Sequence, residues 1–275
     1  MSEGLLKEHV SIIFDSRQRN SGTNEKPIFQ LKSPITFANR SKHGKKYYLI
    51  IHNVLIPKSF YEINSTNNVF KITEEGGGTI TITIDPGNYT ISELLTELES
   101  ELDSNTTNTN NYTLTYDDNT SKVIISFTGT STDITINSIA NGSTLNEPLG
   151  FGISDTQYIT NQDSAINILA GVLTSASYVV DLNPTTTIEI ESNISSNNYY
   201  FNDGIKSISA IIPMNVDRFA YKFFENHGGH KTLITNSTPL NRLEFILKDV
   251  KGNDIDLNGS HWSFSLVIYE LTTST

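Results

Sequence analysis

The sequence predicts a mainly β protein, an antiparallel sandwich or barrel that also contains one α+β unit. Three observations support this class. Short apolar segments recur about 8 to 15 residues apart, and glycine, asparagine and proline stand at the joints between them. One segment, Thr90–Leu102, carries a helical period. The chain has 275 residues and no cysteine, so the fold depends on a packed core instead of disulfides or thiolate metal sites.

The first strands are predicted from alternation and from proline positions. His9–Phe14 alternates, which places its apolar residues on one face of a strand. Phe29–Leu31 is a short strand that we expect to end by Pro34. Tyr47–Ile56 is almost continuously apolar, which predicts a strand buried on both faces and closed by Pro57.

The segment from Gly76 to Leu102 changes its period from two to 3.6 residues. Isoleucines alternate with threonines over Thr79–Ile84, and Asp85–Asn88 then predicts a turn. The next apolar residues form a helical stripe: Ile91, Leu94, Leu95, Leu98 and Leu102. Thr90 and Glu93 have the spacing of a capping box, and Tyr89 and Leu94 that of a hydrophobic staple. We therefore expect a strand, a turn and a helix that covers a sheet.

Two hairpins flank this helix in the sequence. Val69–Thr73 with Thr79–Ile84 predicts the first, and Tyr112–Tyr116 with Val123–Phe127 predicts the second. Residues 60–160 are therefore predicted to form one α+β unit, in which two hairpins share a helix.

The last part of the chain is predicted to be strands and turns. The predicted strands are Ser177–Leu182, Thr187–Glu191, Ile205–Ile212, Arg218–Phe224, a strand carrying Leu243, Phe245 and Leu247, and one lined by Trp262, Phe264, Leu266 and Ile268. The last two strands have apolar residues on both faces, since Ile246 lies opposite Leu247 and Val267 opposite Leu266. This pattern leaves apolar surface for a neighbouring subunit.

The net charge of −11 is unevenly distributed along the chain. Residues 1–60 carry ten Lys/Arg and four Asp/Glu, whereas residues 61–160 carry two and fourteen. This asymmetry indicates either two surfaces with different partners or ordinary solvated faces, and the sequence leaves both interpretations open.

The histidines do not form a convincing metal or catalytic pattern. His52 lies inside an apolar strand, so a hydrogen-bonded structural histidine is favoured over a ligand. His227 and His230 flank two glycines, a turn that would hold half a metal site too loosely. Gly228–Thr232 has some likeness to the end of a phosphate loop, but it lacks the earlier glycine that the motif requires.

Three acidic groups are also interpreted as structural or solvating. They are Glu93, Glu97 and Glu101 on the helix, Asp117, Asp118 and Asn119 in a turn, and Asp249, Asp254 and Asp256 around the last hairpin. The turn lacks the ligand spacing of a calcium loop. We predict no catalytic, cofactor-binding or metal-binding residues and no enzyme; a hydrolase with an unrecognised site remains a minor alternative.

Four segments together carry a family resemblance. They are Phe14–Asn20 (FDSRQRN), Val54–Tyr61 (VLIPKSFY), Gly87–Thr90 (GNYT) and Leu247–Ser263 (LKDVKGNDIDLNGSHWS). With these segments the chain resembles the penton or minor capsid proteins of double-stranded DNA viruses built on jelly-roll capsomers, such as virophages, Maverick/Polinton-type elements and nucleocytoplasmic large DNA viruses.

The resemblance implies a jelly roll made from both chain ends, residues 1–59 and 161–275, with residues 60–160 inserted as the α+β domain. It also implies a structural virion protein, a homopentamer that closes the fivefold vertices of an icosahedral capsid among trimeric major capsid proteins. The family supplies no catalytic residues to carry over.

The expected location is the virion capsid, with synthesis in the cytoplasm of the infected cell. The N-terminus lacks the features of a signal peptide, so secretion is not expected, and the apolar runs are too short for a membrane span. The basic first segment, with Lys42, Lys45 and Lys46, is a candidate contact for packaged genome or an acidic partner, which would leave the acidic insertion facing outward.

A glycan- or receptor-binding β module of a viral or phage surface structure is the alternative class. Exposed aromatic residues beside polar ones are typical of sugar sites, and Tyr199, Tyr200 and Phe201 follow Asn197 and Asn198. The competing interpretation is that these aromatics anchor a loop to the core.

Overall fold

The chain divides into two compact units. The computed structural model describes residues 5–37, 45–152, 165–194, 198–201, 204–227, 231–234 and 239–272. One unit joins Met1–Phe60 with Thr185–Thr275, and we call it the jelly-roll unit. The other is the continuous segment Tyr61–Pro184, which we call the insert.

The helices and strands fall into three consecutive segments of the chain. The first segment holds β1 (Leu5–Asp15), a 3-10 turn (Ser16–Gln18), β2 (Ser21–Gly22), β3 (Pro27–Ile35) and β4 (Lys45–Pro57). The insert holds β5 (Val69–Glu74), β6 (Thr79–Thr83), α1 (Ile91–Asn105), β7 (Asn111–Asp117), β8 (Lys122–Thr128), β9 (Asp133–Ile136), a 3-10 turn (Ile139–Asn141), α2 (Asn146–Leu149), β10 (Ile166–Leu169) and β11 (Thr174–Ser175). The last segment holds β12 (Thr187–Ser192), β13 (Asn198–Phe201), β14 (Gly204–Pro213), β15 (Tyr221–Glu225), β16 (Thr232–Leu233), β17 (Leu240–Lys248) and β18 (Ser263–Thr272).

The jelly-roll unit is an antiparallel β-sandwich built from both ends of the chain, as predicted. One sheet has the order β1-β18-β4-β15, with β16 also paired to β4, and the other has the order β13-β14-β12-β17-β3-β2. The two chain ends pair directly, from Leu5 opposite Thr272 to Asp15 opposite Ser263. The fold class is therefore mainly β, a jelly roll with an inserted α+β unit.

Aromatic side chains from both sheets fill one end of the sandwich core. The rings of Phe14 and Phe29 lie 4.7 Å apart, and those of Phe245 and Phe264 lie 4.6 Å apart. Trp262 stacks on Phe264 at 4.8 Å and is 2% exposed. Because these rings come from segments more than 200 residues apart in the chain, they stabilise the closure of the sandwich.

A bulge changes the parity of the residues that β4 buries. Tyr47, Leu49 and Ile51 lie in the core before it, whereas Val54 and Ile56 lie in the core after it. The register against β18 shifts by one residue between these two groups. The bulge thus keeps apolar residues inward although their spacing in the sequence changes.

The prediction that β4 is buried on both faces is only partly correct. Ile50, next to the core-facing Ile51, is also buried, at 5% exposed. Leu55, after the bulge, is 40% exposed. The outer face of β4 is therefore covered at one end and open at the other.

Three of the predicted strands need correction. Pro34 lies within β3, at a stretch where the register against β17 is interrupted, so its missing N–H leaves no ladder bond unmade. Residues 177–182 are not a strand; their backbone bonds to scattered carbonyls, such as Val180 N–H to Ser121 C=O at 2.9 Å. The strand predicted to begin at Arg218 begins at Tyr221, because a turn precedes it.

The insert contains both predicted hairpins and the helix, but it is larger than predicted. Its sheets have the orders β10-β9-β5-β6 and β11-β8-β7. The predicted end at residue 160 differs from the structure, where the insert extends to Pro184. The reason is that β10 and β11 pair with β9 and β8 instead of with strands of the jelly roll.

The helix α1 begins at the predicted capping box. Glu93 N–H donates to the Thr90 hydroxyl at 3.3 Å, and Thr90 N–H donates to the Glu93 carboxylate at 2.8 Å. The four leucines of the stripe are buried against strands of the insert, and Ile91 is half-buried. Because this apolar stripe is covered, the short helix is stable in its context.

Candidate assembly surface

Exposed apolar side chains gather on the outer face of the sheet β1-β18-β4-β15. β15 pairs with β4, which places Phe223 opposite Leu55 and Tyr221 opposite Pro57. Phe219, Tyr221 and Phe223 are 70%, 60% and 59% exposed, and Leu55 is 40% exposed. We call Leu55, Phe219, Tyr221 and Phe223 the aromatic face.

The same outer face of the sheet carries one more exposed apolar residue, on β1. Leu55 lies opposite Ser263 of β18, and Ser263 lies opposite Asp15 of β1. Ile13, two residues before Asp15 on the same face of β1, is 79% exposed. Four strands at about 4.8 Å spacing make this surface about 14 Å wide.

A strained turn presents Phe219. Its φ is +62°, a left-handed conformation that bulky side chains rarely adopt. Ala220 N–H donates to Asp217 C=O at 3.1 Å, and Phe219 N–H donates to Lys58 C=O at 2.9 Å, so the turn is held at two points. A largely exposed aromatic ring on strained backbone is not explained by core packing.

β15 is an edge strand, and among the described strands it pairs with β4 alone. Asn226 N–H donates to His52 C=O at 2.7 Å, and Lys58 N–H donates to Ala220 C=O at 2.8 Å. Since backbone groups alternate in direction along a strand, those of Tyr221, Phe223 and Glu225 point away from β4. The aromatic face is thus bordered by an open hydrogen-bonding edge in the described part of the chain.

An ion pair lies beside the aromatic face. The Arg17 guanidinium forks onto Asp15, with Nε to Oδ1 at 2.9 Å and Nη2 to Oδ2 at 2.5 Å. Hydrogen bonds from Arg17 lower the pKa of Asp15. Asp217, Arg218 and Glu225 are also exposed at the ends of β15, so charges of both signs rim the face.

The residues that suggested apolar surface on the last two strands are largely covered within the chain. Val267 is 4% exposed, and Ile246 and Tyr269 are half-buried. The sequence thus predicted exposed apolar surface, but the structure places it on β4, β15 and the turn before β15. The sequence pattern that could have indicated this surface is an aromatic residue at every second position, at 219, 221 and 223.

The candidate histidines are not brought together in the described part of the chain. His52 lies half-buried with Nδ1 3.2 Å from Asn226 C=O, which matches the structural interpretation. His227 is exposed and lies 4.0 Å from Glu225. Residues 228–230, with His230 and the predicted phosphate-loop glycines, lie outside the described residues.

The turn and hairpin carboxylates bond locally. Asp117 accepts from Asn119 N–H at 2.9 Å and from the Thr120 hydroxyl at 2.7 Å, as expected of a turn. Asp254 pairs with Lys26 at 2.6 Å and with Lys248 at 3.6 Å. These contacts account for the two groups without a ligand.

The helix carboxylates and the remaining hairpin groups also act locally. Glu93 belongs to the capping box, Glu97 is exposed and Glu101 is half-buried. Asp249 accepts from Asn253 N–H at 2.8 Å, and Asp256 accepts from Asn258 N–H at 2.8 Å. Within the described ranges, three or more metal-ligating side chains do not converge anywhere, and none of the described helices is long and apolar enough to cross a membrane.

The insert contains a buried carboxylate that was not predicted from the sequence. Glu74, at the end of β5, is 1% exposed. Its oxygens accept hydrogen bonds from five donors: Thr106 Oγ1 at 2.5 Å, Thr107 N at 3.0 Å, Thr107 Oγ1 at 2.7 Å, Asn110 Nδ2 at 2.8 Å and Tyr112 Oη at 2.7 Å. It therefore fixes the polar segment between α1 and β7 onto the first hairpin.

The donors set the ionisation of this carboxylate. Burial by itself raises the pKa of Glu74, but the hydrogen bonds from Thr106, Thr107 and Tyr112 outweigh burial and lower the pKa to about 2. Burial, together with the hydrogen bond to Glu74, raises the pKa of the Tyr112 phenol. The carboxylate stays charged and the phenol stays protonated at neutral pH, which suits a structural tie.

The aromatics proposed for a glycan site lie in β13 at Tyr199–Phe201. Their side chains lie outside the described part of the structure, and so does Asn197. The glycan interpretation therefore stays a prediction.

The fold and the exposed sheet face define a class, a jelly-roll β-sandwich that carries an α+β insert and an uncovered apolar surface. The chain belongs to the family of unknown function DUF5901, whose model matches residues 11–238. A comparison with curated proteins found no match.

Among the solved structures similar to this chain is the crystal structure of the selenomethionine-labelled mavirus penton protein. The TM-score is 0.50 and the sequence identity is 12%, over 96% of this chain and 99% of the mavirus chain. At this identity the likeness establishes a shared fold. Its coverage spans both the jelly-roll unit and the insert.

Proposed function

We propose that this protein is a structural capsid subunit, a penton that closes the fivefold vertices of an icosahedral virion as a homopentamer. The observation that carries the proposal is the likeness in fold, over nearly the full chain, to the mavirus penton protein. A shared fold does not by itself give a shared function, so the surface has to supply further support.

The exposed apolar surface supports a role in assembly. Monomeric soluble proteins rarely expose several large apolar side chains in one contiguous patch, and such patches mark contact sites. The aromatic face has four such side chains on β4, on β15 and in the turn before β15. Subunits of a closed ring need contact surfaces of this kind.

The proposed partners are further copies of the chain, a major capsid protein and the packaged genome. The genome contact would use the basic first segment, where Lys46 is exposed and Lys42 lies outside the described residues. Replacing Lys42, Lys45 and Lys46 with Glu should weaken nucleic-acid retention in assembled particles. Unchanged retention would remove the genome from the proposal and leave the capsid role in place.

Electron microscopy and native mass spectrometry of the purified protein test the role directly. Five-subunit rings that bind a major capsid protein shell at its vertices are the expected result. A protein that stays monomeric and binds immobilised glycans would overturn the proposal in favour of a receptor-binding module.

A further inference from the structure

We propose that the aromatic face is the surface through which one copy of this chain binds the jelly-roll unit of a second copy. The inference rests on the proposed function, since it names the subunit contact of the proposed ring. The contact is heterologous: the aromatic face of one copy meets a different surface of the next, as closure of a ring requires.

The chemistry of the face suits a protein partner. Tyrosine and phenylalanine are enriched at subunit interfaces because they bury large areas with few rotatable bonds. Phe219, Tyr221 and Phe223 are each more than half exposed in the isolated chain. Leu55 extends the same apolar surface onto the next strand. Exposing apolar surface of this composition to water costs free energy, and association with a partner removes that cost.

The edge of β15 adds a directional component. The backbone groups of Tyr221, Phe223 and Glu225 point towards the open side of the sheet. Natural proteins usually protect such edges with proline, bulges or inward-pointing charges. The sequence of β15, YKFFE, has no proline and its register against β4 is uninterrupted, and Lys222 is the one charge that it carries on its inner face. A strand of a second copy that pairs along this edge would extend the sheet directly beside the aromatic face.

The charges of the two units indicate which parts of two copies meet. The insert carries two Lys/Arg and sixteen Asp/Glu, a formal charge of −14, whereas the jelly-roll unit carries seventeen and fourteen, a charge of +3. Two inserts therefore repel each other strongly, whereas two jelly-roll units, at +3 each, repel only weakly.

The rim of the aromatic face carries charges of both signs. Arg17 and Arg218 lie on its rim together with Asp217 and Glu225. A rim of mixed sign suits a partner surface that also carries both signs, as the jelly-roll unit does with seventeen Lys/Arg and fourteen Asp/Glu, and a polyanion such as nucleic acid gains nothing from it. The surface thus favours another copy over a polyanion.

A charge placed at the centre of the face provides the first test. Phe223→Asp should weaken self-association by at least about tenfold, measured by analytical ultracentrifugation and native mass spectrometry. Leu173→Asp is the matched control, because Leu173 is 74% exposed but lies in the insert. The control should associate like the wild type. Association of Phe223→Asp at wild-type strength would overturn the inference.

A labelling experiment covers the case in which Phe223→Asp fails to fold. The chain has no cysteine, so Leu55→Cys introduces a single thiol on the face. Maleimide labelling of this thiol should be at least about tenfold slower in the assembled protein than in the dilute monomer, whereas Leu173→Cys should react equally in both. Equal rates for Leu55→Cys would refute the contact.

The outcomes separate this inference from the proposed function. Rings that persist in Phe223→Asp, together with equal labelling of Leu55→Cys in ring and monomer, keep the penton role and reject the aromatic face as the contact. A wild-type protein that is monomeric at every concentration rejects both. Closed dimers that Phe223→Asp dissociates would keep the aromatic face as a self-contact but overturn both its heterologous form and the fivefold ring. Capture of a peptide from another protein by a monomeric wild type rejects the second copy as occupant.

Discussion

The Tyr112 hydroxyl donates a 2.7 Å hydrogen bond to the Glu74 carboxylate, and both side chains are 1% exposed. Tyr112 lies on β7 and Glu74 ends β5, so the bond joins the two hairpins of the insert. A buried charge is tolerated only when its acceptor sites are filled. The five donors around Glu74 meet that requirement, and the carboxylate becomes the polar centre of the insert.

Glu74→Gln should destabilise the insert by about 3 kcal/mol at neutral pH, because either orientation of the amide points its NH2 group at an N–H donor, Asn110 Nδ2 or Thr107 N. Urea unfolding followed by circular dichroism measures the loss. Glu97→Gln is the control, since Glu97 is exposed on α1 and the charge change is identical. Equal midpoints for the two variants would show that the five hydrogen bonds contribute little.

The stability of the insert should also depend on pH through Glu74. Its pKa is lowered in the folded state from 4.5 to about 2. A depressed folded pKa means that the stabilisation is fully present above pH 4.5 and is lost as the pH falls towards about 2. The wild type should therefore lose more stability than Glu74→Gln across this window. Parallel pH profiles of the two proteins would contradict the assignment.

The local parts of the insert could be predicted from sequence because their patterns are local. The alternation at Thr79–Ile84, the leucine stripe and the Thr90–Glu93 box each depend on residues within about one or two turns of one another. Glu74 could not be predicted in this way, since its donors Thr106 and Tyr112 lie 32 and 38 residues further along the chain. Nothing in the neighbouring residues marks Glu74 for burial.

The aromatic face was missed for two other reasons. The apolar run Tyr47–Ile56 predicted burial on both faces, but the bulge in β4 turns Leu55 outward. Phe219 was predicted to belong to a strand, since a phenylalanine favours extended backbone and a positive φ is against its propensity. Both errors arise where tertiary structure overrides a local preference, and both fall on the surface that we propose as functional.

Tyr112 should remain protonated in the folded protein at a pH where an ordinary phenol ionises, near pH 10. Burial and the bond to Glu74 raise its pKa. Tyr112→Phe should therefore leave the phenolate absorbance of the folded protein near pH 10 unchanged, while it costs about 1 to 2 kcal/mol of stability through the lost donor. A fall in that absorbance in the variant would show that Tyr112 ionises normally.

Thr90→Ala should destabilise the insert by about 1 kcal/mol, because it removes the acceptor for Glu93 N–H at the start of α1. Thermal unfolding followed by circular dichroism measures this loss. Thr96→Ala is the comparison, since Thr96 is exposed in the helix interior, where alanine is favourable. A Thr90→Ala variant as stable as Thr96→Ala would mean that the capping box is energetically silent.

Phe219→Gly should separate stability from assembly. Glycine adopts φ near +62° without strain, and Phe219 is 70% exposed, so little burial is lost. We expect the free energy of unfolding of the monomer to stay level or rise by about 1 kcal/mol. Self-association should nevertheless weaken, because an aromatic ring of the aromatic face is gone. A variant that is less stable and yet associates normally would contradict both parts.

Raising the ionic strength should strengthen self-association, whereas it would weaken a contact held by surface ion pairs. The inserts carry −14 each and repel one another in the assembly, and salt screens this repulsion over distances beyond about 8 to 10 Å. The apolar contact at the aromatic face is little affected by such screening. Sedimentation of the wild type from about 0.05 M to about 0.5 M salt should therefore show tighter association as salt rises. Replacing Glu97 and Asp118, two exposed acids of the insert, with their amides should reduce this salt dependence. Dissociation of the wild type by salt would contradict the prediction and indicate that the rim charges dominate the contact.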